Sequence, residues 1–163
     1  MLRTHILYVV GASLFSLAGE RQQASPPAVL SAALRDHLKT ERLEVVTSVR
    51  GLPLGVREAL QELFGSGSLD IAEPGAEFQA TDVVVNPKLP TRRLVAAGCS
   101  ADHCLVYYER GGIAHTWRVA LFHWTPGATR LEWGGAGPGG PGTIDRIRTA
   151  VLSGEIKGPP KSW

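Results

Sequence analysis

The chain has 163 residues, with 17 basic and 15 acidic side chains and a formal net charge of +2. This balance excludes the large basic excess that is typical of nucleic-acid-binding proteins, so no nucleic-acid partner is expected. Without the N-terminal segment described below, about 145 residues remain, which is the usual size of one domain with its own hydrophobic core.

The first residues have the pattern of a secretory signal peptide. Arg3 supplies a basic start, and residues 6–19 form an uncharged, mostly apolar run. Ser16 and Ala18 are the small residues that a cleavage site requires, so cleavage is expected after Ala18. The run is shorter than the roughly 20 residues of a membrane span. An uncleaved N-terminal anchor is the alternative.

Cleavage there divides the chain into a signal peptide over 1–18 and a single α+β domain over 19–163. Leu17-Ala18-Gly19 resembles the start of a bacterial lipoprotein box, but Glu20 stands where that box requires a cysteine. Without a thiol to carry lipid, we expect a soluble product, periplasmic or secreted. Contact with a membrane is expected only through the signal, if it is retained.

Two cysteines, Cys99 and Cys104, stand in the segment GCSADHC. In an exported chain an even number of cysteines favours a disulfide bond. A zinc site would need His103 and a fourth ligand beside both thiolates, and redox dithiols usually have C-x-x-C spacing. Because an oxidising compartment removes the thiolates, we predict a structural disulfide, no metal site and no cofactor.

The first half of the domain has two helical patterns. Ser25-Pro26-Pro27 is typical of a helix start, and apolar residues at helical spacing predict a helix over 27–39. Residues 43–49 alternate as in a β-strand. Gly51-Leu52-Pro53 then predicts the start of a second helix, and Gly65 its end.

The second half of the chain predicts a β-meander. Gly111-Gly112 is typical of a two-residue hairpin, which would pair Tyr108 with His115. Facing cysteines in the preceding hairpin would pair Val95 with Tyr108. The expected strands are 92–97, 104–110, 114–124 and 129–133. The expected core face contains Val95, Ala97, Cys99, Cys104, Val106, Tyr108, Trp117, Val119 and Leu121.

The opposite face of this sheet is less polar than a solvated face should be. Either helices cover both sides of the sheet, or this face contacts a partner. Aromatic and arginine side chains, which are enriched at binding surfaces, cluster in this half of the chain. The candidate binding face contains Leu105, Tyr107, Arg118 and Phe122. Alternatively, the aromatic residues fill the core and the arginines lie at strand edges.

The chain ends with a glycine-rich segment, a helix and a tail. Residues 134–142, GGAGPGGPG, predict a flexible linker, because such a segment cannot easily pack or hold a fixed conformation. A phosphate-binding loop is not expected, because the segment lacks the Lys-Ser/Thr of that motif. Thr143 is the expected cap of a last helix. Residues 158–163 are expected to be loose.

The histidines are the remaining candidates for chemistry. Asp102 and His103 are adjacent and Ser100 is near, but proximity in sequence does not establish a catalytic triad. His115 and His123 lie eight residues apart in one predicted strand, roughly 26 Å at ~3.3 Å per residue, so they cannot bind one metal ion together. We assign no catalytic residue, and His103, Asp102 and His115 are the candidates that the sequence offers.

These patterns predict a two-layer α+β domain in which an antiparallel β-meander with one disulfide packs against helices. The expected function is that of a non-enzymatic binding or protein-interaction module of the cell envelope, with an unknown protein or small ligand as partner. The alternative is a secreted or periplasmic hydrolase that uses a His/acid pair near the Cys99–Cys104 loop. A thiol-redox protein is the third hypothesis.

Overall fold

A computed structural model describes residues 27–84, 86–140 and 142–163. The predicted signal peptide and its cleavage site, and the proposed cap at Ser25, lie outside the described residues. Among the helices that are described, none combines the length and the apolar character that crossing a membrane requires.

The described residues form helices and one antiparallel sheet. The sheet has the strand order β1-β2-β3-β4-β5, so each strand pairs with the next one along the chain. This confirms the α+β class and the β-meander packed against helices. In chain order the elements are α1 (Ala32–Thr40), β1 (Glu44–Val46), α2 (Leu54–Phe64), β2 (Arg92–Cys99), β3 (His103–Arg110), β4 (Thr116–Thr125), β5 (Ala128–Gly137) and α3 (Ile144–Ser153).

Capping residues set the helix ends. α1 begins later than the predicted residue 27, because Ser31 is its cap and accepts a hydrogen bond from a main-chain N–H of the first turn. α2 follows Pro53 directly and ends at Gly65, whose φ of 63° lies in the left-handed region. Thr143 caps α3. The predicted stop at Gly65 and cap at Thr143 are confirmed.

Helices cover both faces of the sheet. α1 and α3 pack on one face, where Leu38 and Ile147 are fully buried. α2 packs on the other face through Val56 and Leu60, which are also fully buried. Of the two alternatives considered from the sequence, the protein's own helices therefore cover both sides of the sheet, which removes its apolar side chains from water.

The predicted core face is wrong on β4. Five residues, 111–115, connect β3 and β4 instead of two, so Tyr108 pairs with Arg118 and not with His115. The register differs from the prediction by three residues, and an odd shift turns every β4 side chain to the other face. Gly111 lies directly against the main chain of Gln79, where a Cβ atom would collide. The β4 residues now found on the α1/α3 face are Trp117, Val119 and Leu121.

The first hairpin is predicted correctly near its turn. Ala97 pairs with Val106 as expected, but a bulge between Leu94 and Ala96 makes Leu94 the partner of Tyr108. Val95 consequently packs on the α1/α3 face and not on the predicted face.

Cys99 and Cys104 form the predicted disulfide bond between the ends of β2 and β3. We expect reduction to lower the free energy of unfolding by about 2 kcal/mol, the loop-entropy value for so short a loop. Urea unfolding of the oxidised and reduced protein measures this difference. A Cys99→Ala/Cys104→Ala variant should not respond to reductant, and equal stability of the native protein in both states would contradict the prediction.

The glycine-rich segment is not a linker throughout, because Gly134–Gly137 belong to β5 and pair with β4. A Cβ at Gly135 would collide with Ile156, and one at Gly134 would collide with the ring of Trp163. Glycine here permits close packing against a strand.

The C-terminal tail is also packed, contrary to the prediction. Lys157 forms an antiparallel bridge with Ala136 at the edge of β5. The main-chain oxygens of Ser162 and Trp163 accept hydrogen bonds from arginine side chains of the sheet. The tail therefore passes around the β5 edge from the α3 side to the α2 side.

Candidate metal centre

One end of the sheet, where α1 stops, gathers titratable side chains. Four residues, His37, Glu41, Asp102 and His103, each offer a ligand atom, and all four atoms lie within 4.8 Å of one another. Within the part of the chain that the structure describes, this is the one group of histidine, cysteine and carboxylate side chains with such spacing. We call it the His37–His103 cluster.

Helix α1 supplies half of the His37–His103 cluster. His37 lies in its last turn and Glu41 is its C-cap, so the two side chains share one helix face. Nε2 of His37 contacts the Glu41 carboxylate and lies 3.7 Å from Oδ1 of Asp102. Arg148 of α3 donates a hydrogen bond of 2.7 Å to the main-chain oxygen of Glu41, which holds this helix end in place.

The turn between β2 and β3 supplies the other half. Nδ1 of His103 lies 2.9 Å from Oδ1 of Asp102, and this hydrogen bond is the main cause that lowers the pKa of Asp102. The His103 ring is buried, with its centroid 4.0 Å from that of His37. Because the Cys99–Cys104 disulfide closes this turn, both side chains are held at the end of the sheet.

Glu132 of β5 contacts the cluster from the opposite side. The β4–β5 register shifts between Leu121 and Phe122, which leaves Glu132 as the extra residue of a bulge. Its Oε2 lies 3.1 Å from Nε2 of His103, and its Oε1 accepts a hydrogen bond of 2.6 Å from Arg130. A histidine whose second ring nitrogen donates to a carboxylate is the usual arrangement around a protein-bound metal ion.

Ser100 does not complete a catalytic triad with Asp102 and His103. Its Oγ accepts a hydrogen bond of 3.0 Å from the main-chain N–H of His103 and lies 3.4 Å from Oδ1 of Asp102. Both ring nitrogens of His103 face carboxylates. Neither ring nitrogen of His103 is therefore placed to take the Ser100 proton.

The two other histidines considered from the sequence lie apart from each other. His115 is at the opposite end of the sheet, with Nε2 2.7 Å from Glu109 and its ring stacked at 4.5 Å on Trp117. His123 lies opposite His103 in the β3–β4 register, with ring centroids 5.2 Å apart. The structure thus separates His115 from Asp102 and His103 and places His123 beside them.

The predicted binding face is not a surface, because all four of its residues are buried. Leu105 and Tyr107 lie under α1 and α3, and the Tyr107 hydroxyl donates to the main-chain oxygen of Pro138. Burial raises the pKa of Tyr107 to about 12. Phe122 and Arg118 lie on the α2 face because of the β4 register. The aromatic residues fill the core, which was the alternative considered from the sequence.

Three residues of this site, His37, Glu41 and Glu132, were not among the candidates predicted from the sequence. A signal existed for the first two, because a histidine and a glutamate four residues apart near a helix end share one face. No local pattern marks Glu132, which reaches His103 only through the bulge in β5.

Comparison with known proteins yields no match: no family model, no curated protein and no solved structure is similar to this chain. The function is therefore inferred from the side chains of the site.

Proposed function

We propose that this protein is an exported binding protein for a divalent transition-metal ion, which His37, Glu41, Asp102 and His103 coordinate. The observation that carries the proposal is the convergence of four donor atoms, from two distant segments of the chain, within 4.8 Å. Imidazole and carboxylate groups are ligands that Zn²⁺ accepts. Metal binding gives the expected non-enzymatic binding module a specific ligand.

The charge of the cluster supports a divalent cation. With neutral imidazoles, the carboxylates of Glu41, Asp102 and Glu132 and the guanidinium of Arg130 leave a formal charge of −2. A neutral His103 has one ring N–H, but its two ring nitrogens face two carboxylates, Asp102 and Glu132. One of these contacts therefore places a nitrogen lone pair against a carboxylate oxygen, and either a bound cation or a second proton on the ring removes that repulsion.

The geometry is close to that of a four-ligand site. Zinc bonds to nitrogen and oxygen measure roughly 2.0–2.2 Å, so two donors on one ion lie at most about 4.4 Å apart. A small inward movement brings the four donors into range. The Asp102 side chain is 45% exposed, so it can make this movement and leaves a path for the ion. Four protein ligands fill a tetrahedral shell, which favours binding over the open coordination of a hydrolytic zinc site.

The test is titration of Zn²⁺ into the metal-free chain by isothermal calorimetry. We expect one ion per chain, with a loss of affinity of roughly 100-fold or more in Asp102→Asn and Glu41→Gln, because each change removes a charged donor. Glu132→Gln should weaken binding by roughly 10- to 100-fold through its effect on His103. His115→Gln is the matched control, and it should bind like the native chain because His115 lies at the other end of the sheet.

Equal Zn²⁺ affinity in Asp102→Asn and the native chain would contradict the proposal. Since the Asp102 side chain is partly exposed, this variant is expected to fold, which circular dichroism checks. Protonation of both His103 ring nitrogens, seen by NMR in the presence of Zn²⁺, would show instead an imidazolium paired with two carboxylates. Zinc-dependent ester hydrolysis that Asp102→Asn abolishes would favour the hydrolase alternative.

A further inference from the structure

A second group of charged side chains lies at the other end of the sheet, on the face that α2 covers. Arg92 and Arg110 are cross-strand partners in β2 and β3, and Arg118 of β4 is the partner of Tyr108. Arg92 and Arg118 are only 6% and 8% exposed. Like charges on directly opposed strand positions repel, so this group requires compensation by negative charge.

The described residues supply only part of that compensation. Oδ2 of Asp70 lies 2.6 Å from Nη1 of Arg92, whereas Arg110 and Arg118 contact no carboxylate in the described part of the chain. Burial lowers the pKa values of Arg92 and Arg118. Among the described side chains, three guanidinium groups therefore face a single carboxylate.

The segment Ser162–Trp163 now occupies the space between these arginines. Nη2 of Arg92 donates a hydrogen bond of 2.8 Å to the main-chain oxygen of Trp163. Nε of Arg118 donates to the main-chain oxygen of Ser162, and Nη1 of Arg110 donates to the Ser162 hydroxyl, both at 3.0 Å. Guanidinium donors from three strands thus converge on adjacent oxygen atoms.

Two further buried polar atoms lie at this place, the Tyr108 hydroxyl and Nε of Arg92. Neither of them has a hydrogen-bond partner among the residues that the structure describes. Tyr108 lies on the same face of the sheet as these arginines, because it is the partner of Arg118 and is two residues from Arg110 in β3. Burial raises the pKa of its hydroxyl, and the charges of Arg92, Arg118 and Arg110 act in the opposite direction. A buried donor left unpaired is costly, and the tail oxygens do not satisfy these two.

We propose that Arg92, Arg110, Arg118 and the Tyr108 hydroxyl form a binding site for a tetrahedral oxyanion of the phosphate type, and that Ser162–Trp163 occupies the site when the anion is absent. A phosphate dianion supplies negative charge to a group in which guanidinium side chains outnumber carboxylate side chains. Its oxygens accept forked hydrogen bonds from guanidinium groups, which suit phosphate better than a lysine ammonium does. This site lies at the opposite end and on the opposite face of the sheet from the His37–His103 cluster.

The ring of Trp163 keeps the tail in place. It packs against the α2-side core and lies directly against Gly134, where a Cβ atom would collide with the ring. A bound anion must displace the oxygens of Ser162 and Trp163, so the tail competes with it. Loosening the tail should therefore raise the apparent affinity for the anion.

The experiment is an isothermal calorimetric titration of inorganic phosphate into the purified chain. Trp163→Ala is expected to bind roughly tenfold more tightly than the native chain, because the competing tail is weakened. In the Trp163→Ala background, Arg118→Lys should lose at least roughly tenfold and Tyr108→Phe a similar factor, since each removes donors to the anion. Arg42→Lys, at an exposed arginine far from the site, is the matched control and should change nothing.

Absence of phosphate binding by Trp163→Ala overturns the proposal. Equal affinity in Trp163→Ala and its Arg118→Lys derivative overturns it as well, since binding would then occur elsewhere. If Arg118→Lys does not fold, Tyr108→Phe decides the question, because it removes one buried oxygen and no charge. A parallel titration with sulfate tests the selectivity of the site. Equal affinities for sulfate and phosphate would show that it accepts any doubly charged oxyanion, and weaker binding of sulfate would show that it is selective for phosphate.

Discussion

Leu121→Ala and Phe122→Ala should each lower the free energy of unfolding by about 3 kcal/mol or more. The two residues are neighbours in β4 and point to opposite faces, yet both are fully buried. Each substitution leaves a cavity between the sheet and a helix. In a sheet with one solvated face, one of the two changes would cost less than about 0.5 kcal/mol. Urea unfolding monitored by circular dichroism measures both values.

Ile113→Ala is the matched control for this pair. Ile113 is a large aliphatic residue in the β3–β4 connection, and it is 94% exposed. Its truncation should change stability by less than about 0.5 kcal/mol. If Leu121→Ala or Phe122→Ala is as mild as Ile113→Ala, the corresponding face of the sheet is not covered by a helix in solution.

Glu109→Gln should destabilise the fold by about 3 kcal/mol. Glu109 is buried, and its two carboxylate oxygens face different partners, Nε of Arg93 at 2.6 Å and Nε2 of His115 at 2.7 Å. Glutamine keeps the size of the side chain but removes the charge and directs an amide N–H₂ at one of these groups. Arg93 is partly exposed and lies over the ring of Phe78, so it retains some solvation. We therefore place the effect at the lower end of the range for a broken buried pair.

Glu58→Gln, at an exposed position of α2, is the control for loss of a glutamate charge alone. It should alter the free energy of unfolding by less than about 0.5 kcal/mol. A double-mutant cycle with Arg93→Met isolates the Glu109–Arg93 interaction, and the double variant should recover part of the loss. A cost for Glu109→Gln no greater than that of Glu58→Gln would show that this network is not a stabilising element.

Local chemistry made much of the fold predictable. The end of α2 at Gly65 and the cap of α3 at Thr143 depend on conformational preferences and hydrogen bonds that act within a few residues. The Cys99–Cys104 disulfide also determined the register near its turn, because two bonded cysteines must face each other across neighbouring strands. Each of these features joins residues that are close in the chain.

The candidate metal centre was predictable only in part. Asp102 and His103 are neighbours in sequence, and the structure places them in contact. His37 and Glu41 join them because α1 packs across the end of the sheet, and Glu132 joins because a bulge turns it toward His103. Packing and bulges depend on the whole sheet, so no spacing of residues in this sequence indicates the complete cluster.

The sequence by itself determined the α+β class, the meander of the four strands in the second half and the disulfide, because these follow from periodicity, capping and turn residues over short distances. Only the tertiary structure decided which way β4 faces. Both faces of the sheet are buried under helices, so the alternation of apolar residues along β4 favours neither register. The same long-range packing places the tail among the arginines and α1 beside His103, which creates both proposed sites.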